Sequence, residues 1–272
     1  MTGVQTCALP ISNYGINQLK PWVLSAKEVA GDNTDIVLVC ANMAPETYTW
    51  LVEQGIVLFA MQQLPNVPVH VLRFLSIYEF LKQNWLDYEY VVTTDVKDVY
   101  FQADPFKKLQ GKKLVVASEG LKYKDEPWGD DNLKQAYGPY VYELFKDKEI
   151  FNVGTFGGDS EYVKDMVFHI FTNGVNRPIP IVDQAVFNVM ISRHPYLNST
   201  MYTVSEDGWA CQLGTTADPS KIDSFKPFLL EPSPKLEGEK VVTSTGIEYT
   251  IVHQYDRVPE WRKVIEAKYD DK

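Results

Sequence analysis

Short apolar runs alternate with stretches of helical spacing through the first hundred residues of this chain. Residues 35–40, 56–60 and 90–93 are rich in the β-branched and aromatic side chains that suit covered strands. Helices are predicted at residues 45–54, which open on a proline, and at residues 71–86. Repeated strand–helix units predict an α/β fold, with a Rossmann-like, mostly parallel central sheet flanked by helices on both faces.

The alternation breaks in the middle of the chain. Residues 118–137 are polar and mixed in charge, and they are predicted to form a long loop of the kind that often carries function. Residues 150–156 are predicted as a strand, residues 183–192 as a helix and residues 249–253 as a late strand. A chain of 272 residues is long enough for one large domain with a sizeable core.

The first residues do not resemble the start of a protein domain. Residues 1–11 are what a common sequencing-adapter oligonucleotide encodes, so we predict that residues 1–12 are an artefact of sequence assembly and that residues 13–272 form the domain. The native N-terminus would then be missing, which leaves a signal peptide or a membrane anchor open. No stretch approaches the roughly 20 apolar residues of a membrane span. A cytoplasmic location, free or peripheral to a membrane, is favoured.

The chain is acidic, with a formal net charge of -10. An acidic surface argues against nucleic-acid binding, which needs an excess of lysine and arginine. It is compatible with a nucleotide ligand, because a metal ion and a few local groups can neutralise the phosphates. Cys40 and Cys211 lie far apart in sequence and indicate neither a disulfide framework nor a zinc site.

Two acids follow the apolar run at residues 90–93. Asp95 and Asp98 come after a predicted buried strand, and the carboxyl ends of strands are where open α/β sheets bind ligands. Two neighbouring carboxylates repel each other unless a cation joins them, and a divalent ion that carries a diphosphate would do so. The simpler interpretation is a solvated turn in which Asp98 caps a short helix.

Polar residues also occur at the ends of other predicted elements. Arg73 could reach a phosphate or a sugar hydroxyl from its helix, or it could face solvent. Asp183 and Gln184 open a predicted helix, where Asp183 has the alternative role of an ordinary N-cap. His253 ends the late strand, and in a chain with an acidic pair a histidine at that position is a candidate metal ligand.

A glycine-rich strand end lies between these residues. Asn152 and Gly154 lie in the strand predicted at residues 150–156, and Gly157 and Gly158 follow. Small residues allow another group to approach the backbone closely, although a strand-to-helix turn explains them equally well.

The segment Thr94–Phe106, with the sequence TDVKDVYFQADPF, resembles the acidic motif of nucleotide-sugar-dependent glycosyltransferases of the GT-A fold. The order of features is also similar to that of the retaining galactosyltransferase and glycogenin group. An arginine-bearing helix, the acidic motif, an Asn-x-Gly strand, an Asp-Gln pair and a late histidine follow one another. The resemblance covers roughly residues 13–260. It implies a GT-A-like domain that transfers a sugar from a nucleotide-diphosphate donor to a glycan or another hydroxyl acceptor.

The resemblance also implies roles for individual residues. The ligands of a Mn²⁺ or Mg²⁺ ion would be Asp95, Asp98 and His253. The donor would be bound by Arg73, Thr94, Asp95, Asn152, Gly154 and Gly158. The catalytic residues beside the donor sugar would be Asp183 and Gln184. The acceptor would meet a loop at residues 118–132 that contains Glu119 and Trp128.

The chain departs from this family pattern in several ways. The acidic motif usually reads Asp-x-Asp, whereas two residues separate the acids here, which leaves open whether Asp95 or Asp98 binds the metal directly. Lys97 lies between them and reduces the negative charge. The first donor-binding strand is expected to be lost with the native N-terminus, which leaves Tyr14 as a candidate for stacking on the base.

Two other functions compete with glycosyl transfer. A protein of the same fold could bind a sugar nucleotide or a partner without turnover. An aspartyl-phosphate phosphatase also places an aspartate after an apolar strand, but it needs a second acid two residues later, where this chain has Lys97.

Overall fold

The computed structural model describes the backbone of residues 3–11 and the whole of residues 14–270. The described strands, in chain order, are β1 (Gly3–Ile11), β2 (Thr34–Cys40), β3 (Val57–Ala60), β4 (Tyr90–Thr94), β5 (Val99–Phe101), β6 (Leu114–Lys122), β7 (Glu149–Asp159), β8 (Thr200–Thr203), β9 (Ala210–Gln212), β10 (Lys235–Glu237), β11 (Lys240–Val242) and β12 (Ile251–His253). The described α-helices are α1 (Ile16–Val29), α2 (Pro45–Glu53), α3 (Val69–Asn84), α4 (Pro127–Phe145), α5 (Ser160–Gly174), α6 (Asp183–Ile191), α7 (Leu213–Thr216), α8 (Ile222–Phe225) and α9 (Pro259–Ala267).

Seven strands form the main sheet in the order β3-β2-β1-β4-β7-β6-β8. The half made of β3, β2, β1 and β4 is parallel, as predicted. The other half is mixed, because β7 runs antiparallel to both β4 and β6 while β8 is parallel to β6. The fold is therefore α/β, with a mixed main sheet in place of the mostly parallel one expected.

The adapter-like segment occupies the centre of this sheet. The backbone of β1 pairs parallel with β2 on one side and with β4 on the other, so the position expected to lack a strand is filled. Both flanking strands present N–H and C=O groups toward this position. Pairing with them requires an extended backbone and no particular side chain.

Alternate residues of the strands face two separate cores. Val91 of β4 packs with side chains from α3, α5 and α6, whereas Val92 packs with α1, including Trp22. Leu114 and Val115 of β6 divide in the same way. Successive side chains of a strand point to opposite faces, so helices cover the main sheet on both sides. Full burial of each valine contributes about 2 kcal/mol.

Strands β5, β12 and β9 form a second sheet, in which β12 is antiparallel to β5 and parallel to β9. His253 at the end of β12 pairs with Val99 of β5 and with Gln212 of β9. Asp98 directly precedes Val99, so this register brings Asp98, Gln212 and His253 to one edge of the second sheet. Strands β10 and β11 pair separately as an antiparallel hairpin.

The prediction of a loop at residues 118–137 is wrong. Strand β6 continues through Glu119 to Lys122 because it pairs with β7 across two irregularities in register. After a short 3₁₀ turn, α4 begins at Pro127, and the Glu126 carboxylate caps it by accepting from two backbone N–H groups. Polar composition predicted exposure here, but Glu119 and Glu126 are both buried with hydrogen-bond partners.

Within the described residues, no helix has both the length and the apolar character needed to cross a membrane.

Candidate metal and substrate cleft

Two acids and a histidine converge where β4 ends. The backbone N–H of Asp95 donates to Gly154 O at 2.8 Å, which continues the β4–β7 pairing by one residue. Asp98 and His253 come from the edge of the second sheet. His253 Nε2 lies 3.5 Å from Asp95 Oδ2 and 3.7 Å from Asp98 Oδ1. One ligand atom from each of the three residues lies within 4.8 Å of the other two. We call Asp95, Asp98 and His253 the ligand cluster.

Arg73 joins the ligand cluster to α6. Its Nη1 donates to Asp95 Oδ1 at 2.6 Å and its Nη2 donates to Asp183 Oδ2 at 2.7 Å. Arg73 is only 2% exposed, so the solvent-facing alternative is wrong. The N-cap of α6 is Val182, so the N-cap alternative for Asp183 is also wrong. The guanidinium therefore fixes two carboxylates from different parts of the fold.

The charges of the ligand cluster depend on one another. Burial acts to raise the pKa of Asp95, but Arg73 and His253 outweigh it and lower the pKa to about 2. Burial raises the pKa of Asp98, with His253 acting against it. Burial acts to lower the pKa of His253, but Asp98 and Asp95 raise it above its ordinary value. The carboxylates thus favour a positive charge at the position they share.

Two buried residues behind His253 orient its imidazole. His253 Nδ1 lies 2.6 Å from Gln212 Oε1, and Gln212 Nε2 donates to Thr155 Oγ1 at 2.7 Å. An amide oxygen can only accept, so Nδ1 carries a hydrogen and Nε2 is the nitrogen that faces Asp95 and Asp98. Such outer partners set the orientation of metal-binding histidines. No sequence motif marked Gln212 or Thr155, and only the strand register brings them to the site.

Glu119 links the predicted donor and catalytic residues. Its Oε1 accepts from Asn152 Nδ2 at 2.6 Å and from Gln184 Nε2 at 3.0 Å. Burial raises the pKa of Glu119 to about 7, although the hydrogen bond from Asn152 acts to lower it. Gln184 Oε1 faces Val153 N at 3.4 Å. Glu119 was expected in an acceptor loop, whereas the structure places it in a strand, beside the catalytic candidate Gln184.

Gly154 is the point at which the site residues meet. A Cβ atom at this position would lie 2.8 Å from Asp95 Oδ2, 2.8 Å from His253 Cε1 and 2.9 Å from Asn152 Oδ1. The sequence indicated that something approaches the backbone here. The approaching groups are side chains of the protein itself.

Two predicted donor-binding residues do not reach this site. Thr94 is buried and its Oγ1 accepts from Trp22 Nε1 at 2.9 Å, so it packs toward α1. Gly158 pairs with Val91 and Leu114. A side chain at Gly158 would collide with the Lys113 carbonyl, so close strand contact explains this glycine. Neither residue lines the cleft described next.

The remaining predicted residues line one cleft of about 630 Å³. Tyr14 and the half-buried His70 lie in its wall together with the ligand cluster, and Trp128, which is 48% exposed, lines it as well. Sequence reasoning gave no individual role to several polar residues of this wall, namely His70, Glu126, Asp218, Lys221, Asp256 and Arg257. The cleft therefore combines a cluster of acids with cations suited to phosphate groups.

A scan against protein-family models finds none that matches the chain, and a search of the curated proteins finds no match.

Proposed function

We propose that this protein transfers a sugar from a nucleotide-diphosphate donor to a hydroxyl acceptor, with a divalent ion at the ligand cluster. The observation that carries the proposal is the convergence of Asp95, Asp98 and His253 at the end of β4, in the same cleft as the buried Arg73–Asp183 ion pair. The resemblance of the Thr94–Phe106 segment to the acidic motif of GT-A glycosyltransferases adds to it.

The residues present fit a divalent ion. Two carboxylate oxygens and one imidazole nitrogen suit Mn²⁺, and Mg²⁺ accepts the carboxylates with water in its other positions. Gln212 holds His253 with Nε2 toward the acids, which is the orientation that a ligand needs. When bound, the ion would neutralise the charge that develops on the leaving diphosphate.

Other residues of the cleft would each contact a different part of the donor. The Arg73–Asp183 pair, next to the ligand cluster, supplies a rigid polar wall for the sugar hydroxyls. Lys97, Lys221 and Arg257 supply cations for the phosphates. Tyr14 remains the candidate for stacking on the base. The anomeric carbon develops oxocarbenium character during transfer, and a nearby carboxylate or amide oxygen stabilises it.

The parallel half of the main sheet is compatible with this function. The order β3-β2-β1-β4 is that of a nucleotide-binding half-sheet, and ligands of such sheets bind beyond the carboxyl ends of the strands. Asp95 lies in that position. We therefore propose a GT-A-like domain in which the antiparallel strand β7 adds Asn152 and Gly154 to the same edge.

The test is to incubate the protein with Mn²⁺ or Mg²⁺ and a panel of nucleotide sugars, and to measure nucleotide release with and without hydroxyl acceptors. We expect metal-dependent release with at least one donor. Asp98→Asn should weaken the metal dependence strongly, whereas Asp147→Asn at an exposed position should not change it. Binding of a donor without release would favour the non-catalytic alternative. Absence of both binding and release would refute the proposal.

A further inference from the structure

We infer that Glu119 is a catalytic residue that accepts the proton of the acceptor hydroxyl. This role rests on the proposed function. Glu119 is only 5% exposed, yet it lines the cleft that contains the ligand cluster. Glu119 has no ion-pair partner among the described residues, and a buried carboxylate of this kind beside a polar cleft requires an explanation beyond packing.

The two oxygens of Glu119 have different surroundings. Oε1 accepts from Asn152 Nδ2 and from Gln184 Nε2, so its direction is fixed from two sides. Oε2 has no hydrogen-bond partner among the described residues, and it is not one of their fully buried unpaired atoms. The side chain thus offers one free oxygen to the cleft while the other oxygen anchors it.

The neighbouring amides cannot take this role. Gln184 Oε1 faces the Val153 N–H, and Asn152 Oδ1 accepts from the Gly154 N–H at 2.6 Å. Turning either amide over would place an NH₂ group against a backbone N–H and an oxygen against the Glu119 carboxylate. The hydrogen-bond network therefore sets both orientations. Both amide oxygens point toward β7, whereas Glu119 Oε2 is free to meet a substrate.

Asn152 connects Glu119 with the region in which the ligand cluster lies. Asn152, which it anchors, directs its oxygen to Gly154, where Asp95 and His253 also converge. The backbone carbonyl of Glu119 accepts from Thr215 Oγ1 at 2.7 Å, and Thr215 also lines the cleft. Glu119 is therefore hydrogen-bonded both to Asn152 and to Thr215 in the wall of the cleft.

Charged groups on several elements face Glu119. Burial raises its pKa to about 7, Glu126 adds to this effect, and Asn152 and His253 act against it. Tyr123, whose buried hydroxyl has no partner in the described part of the chain, lies near enough for Glu119 to help raise its pKa. A base works best when its pKa lies near the working pH, so these surroundings suit proton transfer near neutrality.

The acceptor oxygen forms a bond to the anomeric carbon, and the bond from that carbon to the diphosphate oxygen breaks with its electron pair leaving on the diphosphate. The acceptor hydroxyl proton passes to Glu119 Oε2 and is later released to solvent. No oxidant or further reactant is needed.

The experiment compares sugar transfer by the wild-type protein and by Glu119→Gln, from whichever donor the panel identifies, with Mn²⁺ present. We expect transfer to fall by about 100-fold or more, which is the usual size of a lost general base. The donor Kd should stay within a few-fold of wild type. The wild-type rate should rise with pH through about 7 and then level, and Glu119→Asp should keep this rise at a reduced rate.

The matched control is Glu149→Gln. Glu149 is a half-buried carboxylate that is hydrogen-bonded to Ser118, and it lies outside the cleft. Its transfer rate and pH profile should match those of wild type. Transfer by Glu119→Gln within three-fold of wild type, or an equal loss in donor binding, would overturn the inference alone. A wild-type protein that releases nucleotide from no donor would instead overturn the proposed function and this inference with it.

Discussion

Replacing Glu119 with glutamine should stabilise the protein at alkaline pH. The pKa of Glu119 is about 7 in the folded protein against an ordinary 4.5. The difference of about 2.5 units corresponds to about 3 kcal/mol. A carboxyl whose pKa rises on folding binds its proton more tightly in the native state. The penalty is therefore absent below about pH 4.5, grows as pH rises and is complete above about pH 7. Glutamine carries no charge and avoids this penalty.

Urea or thermal unfolding of both proteins at pH 5 and pH 8 measures the effect. The stability of Glu119→Gln relative to wild type should increase by about 2.5 kcal/mol between these pH values, because a small part of the penalty is already present at pH 5. This corresponds to roughly 5–10 °C in Tm for a chain of this size. Glu237→Gln removes a carboxylate from an exposed position and controls for net charge. An equal stability difference at the two pH values would refute the assigned environment of Glu119.

Three further substitutions test the ligand cluster and its supports. Arg73→Met leaves the buried Asp183 and the partly exposed Asp95 without their cation and should cost about 3–5 kcal/mol in urea unfolding; a cost below about 1 kcal/mol would contradict the buried ion pair between Arg73 and Asp183. Gly154→Ala places a methyl group 2.8 Å from Asp95 and His253. Calorimetry should then show Mn²⁺ binding weakened at least about ten-fold. Unchanged affinity would show that the ligand cluster can move aside. Gln212→Leu should weaken Mn²⁺ binding by about 10–100-fold, whereas Gln212→Glu, which keeps an acceptor for the imidazole, should lose less. Equal losses in the two Gln212 variants would mean that packing, not the hydrogen bond, supports the site.

The sequence predicted the members of the site better than their surroundings. Asp95 and Asp98 follow a strand whose β-branched residues are easily recognised, and His253 ends another, so position along the chain was enough to propose that they meet. Strand direction has no such signal, because periodicity is the same for a strand running either way. The antiparallel course of β7, which brings Asn152 to the site from the start of its strand, was therefore not predictable.

Polar residues in buried strands were the main source of error. Ser118 and Glu119 were assigned to a loop because polar side chains are usually exposed to solvent. In the structure each has hydrogen-bond partners inside the fold. Gln212 was not predicted as a site residue, because a polar side chain was not expected in a buried strand. A buried polar side chain is recognisable only from its partner, and the partner is distant in sequence.

The ligand cluster spans two sheets. Asp95 ends a strand of the main sheet, whereas Asp98 and His253 belong to the edge of the second sheet. An ion bound there would act as a cross-link between the two sheets. At 100 times its Kd it would add about 2.7 kcal/mol to the free energy of unfolding. Amide protons of β5 and β12 should then exchange with solvent more slowly when the ion is bound than when it is absent. Hydrogen exchange in the second sheet would therefore report whether the cleft holds an ion.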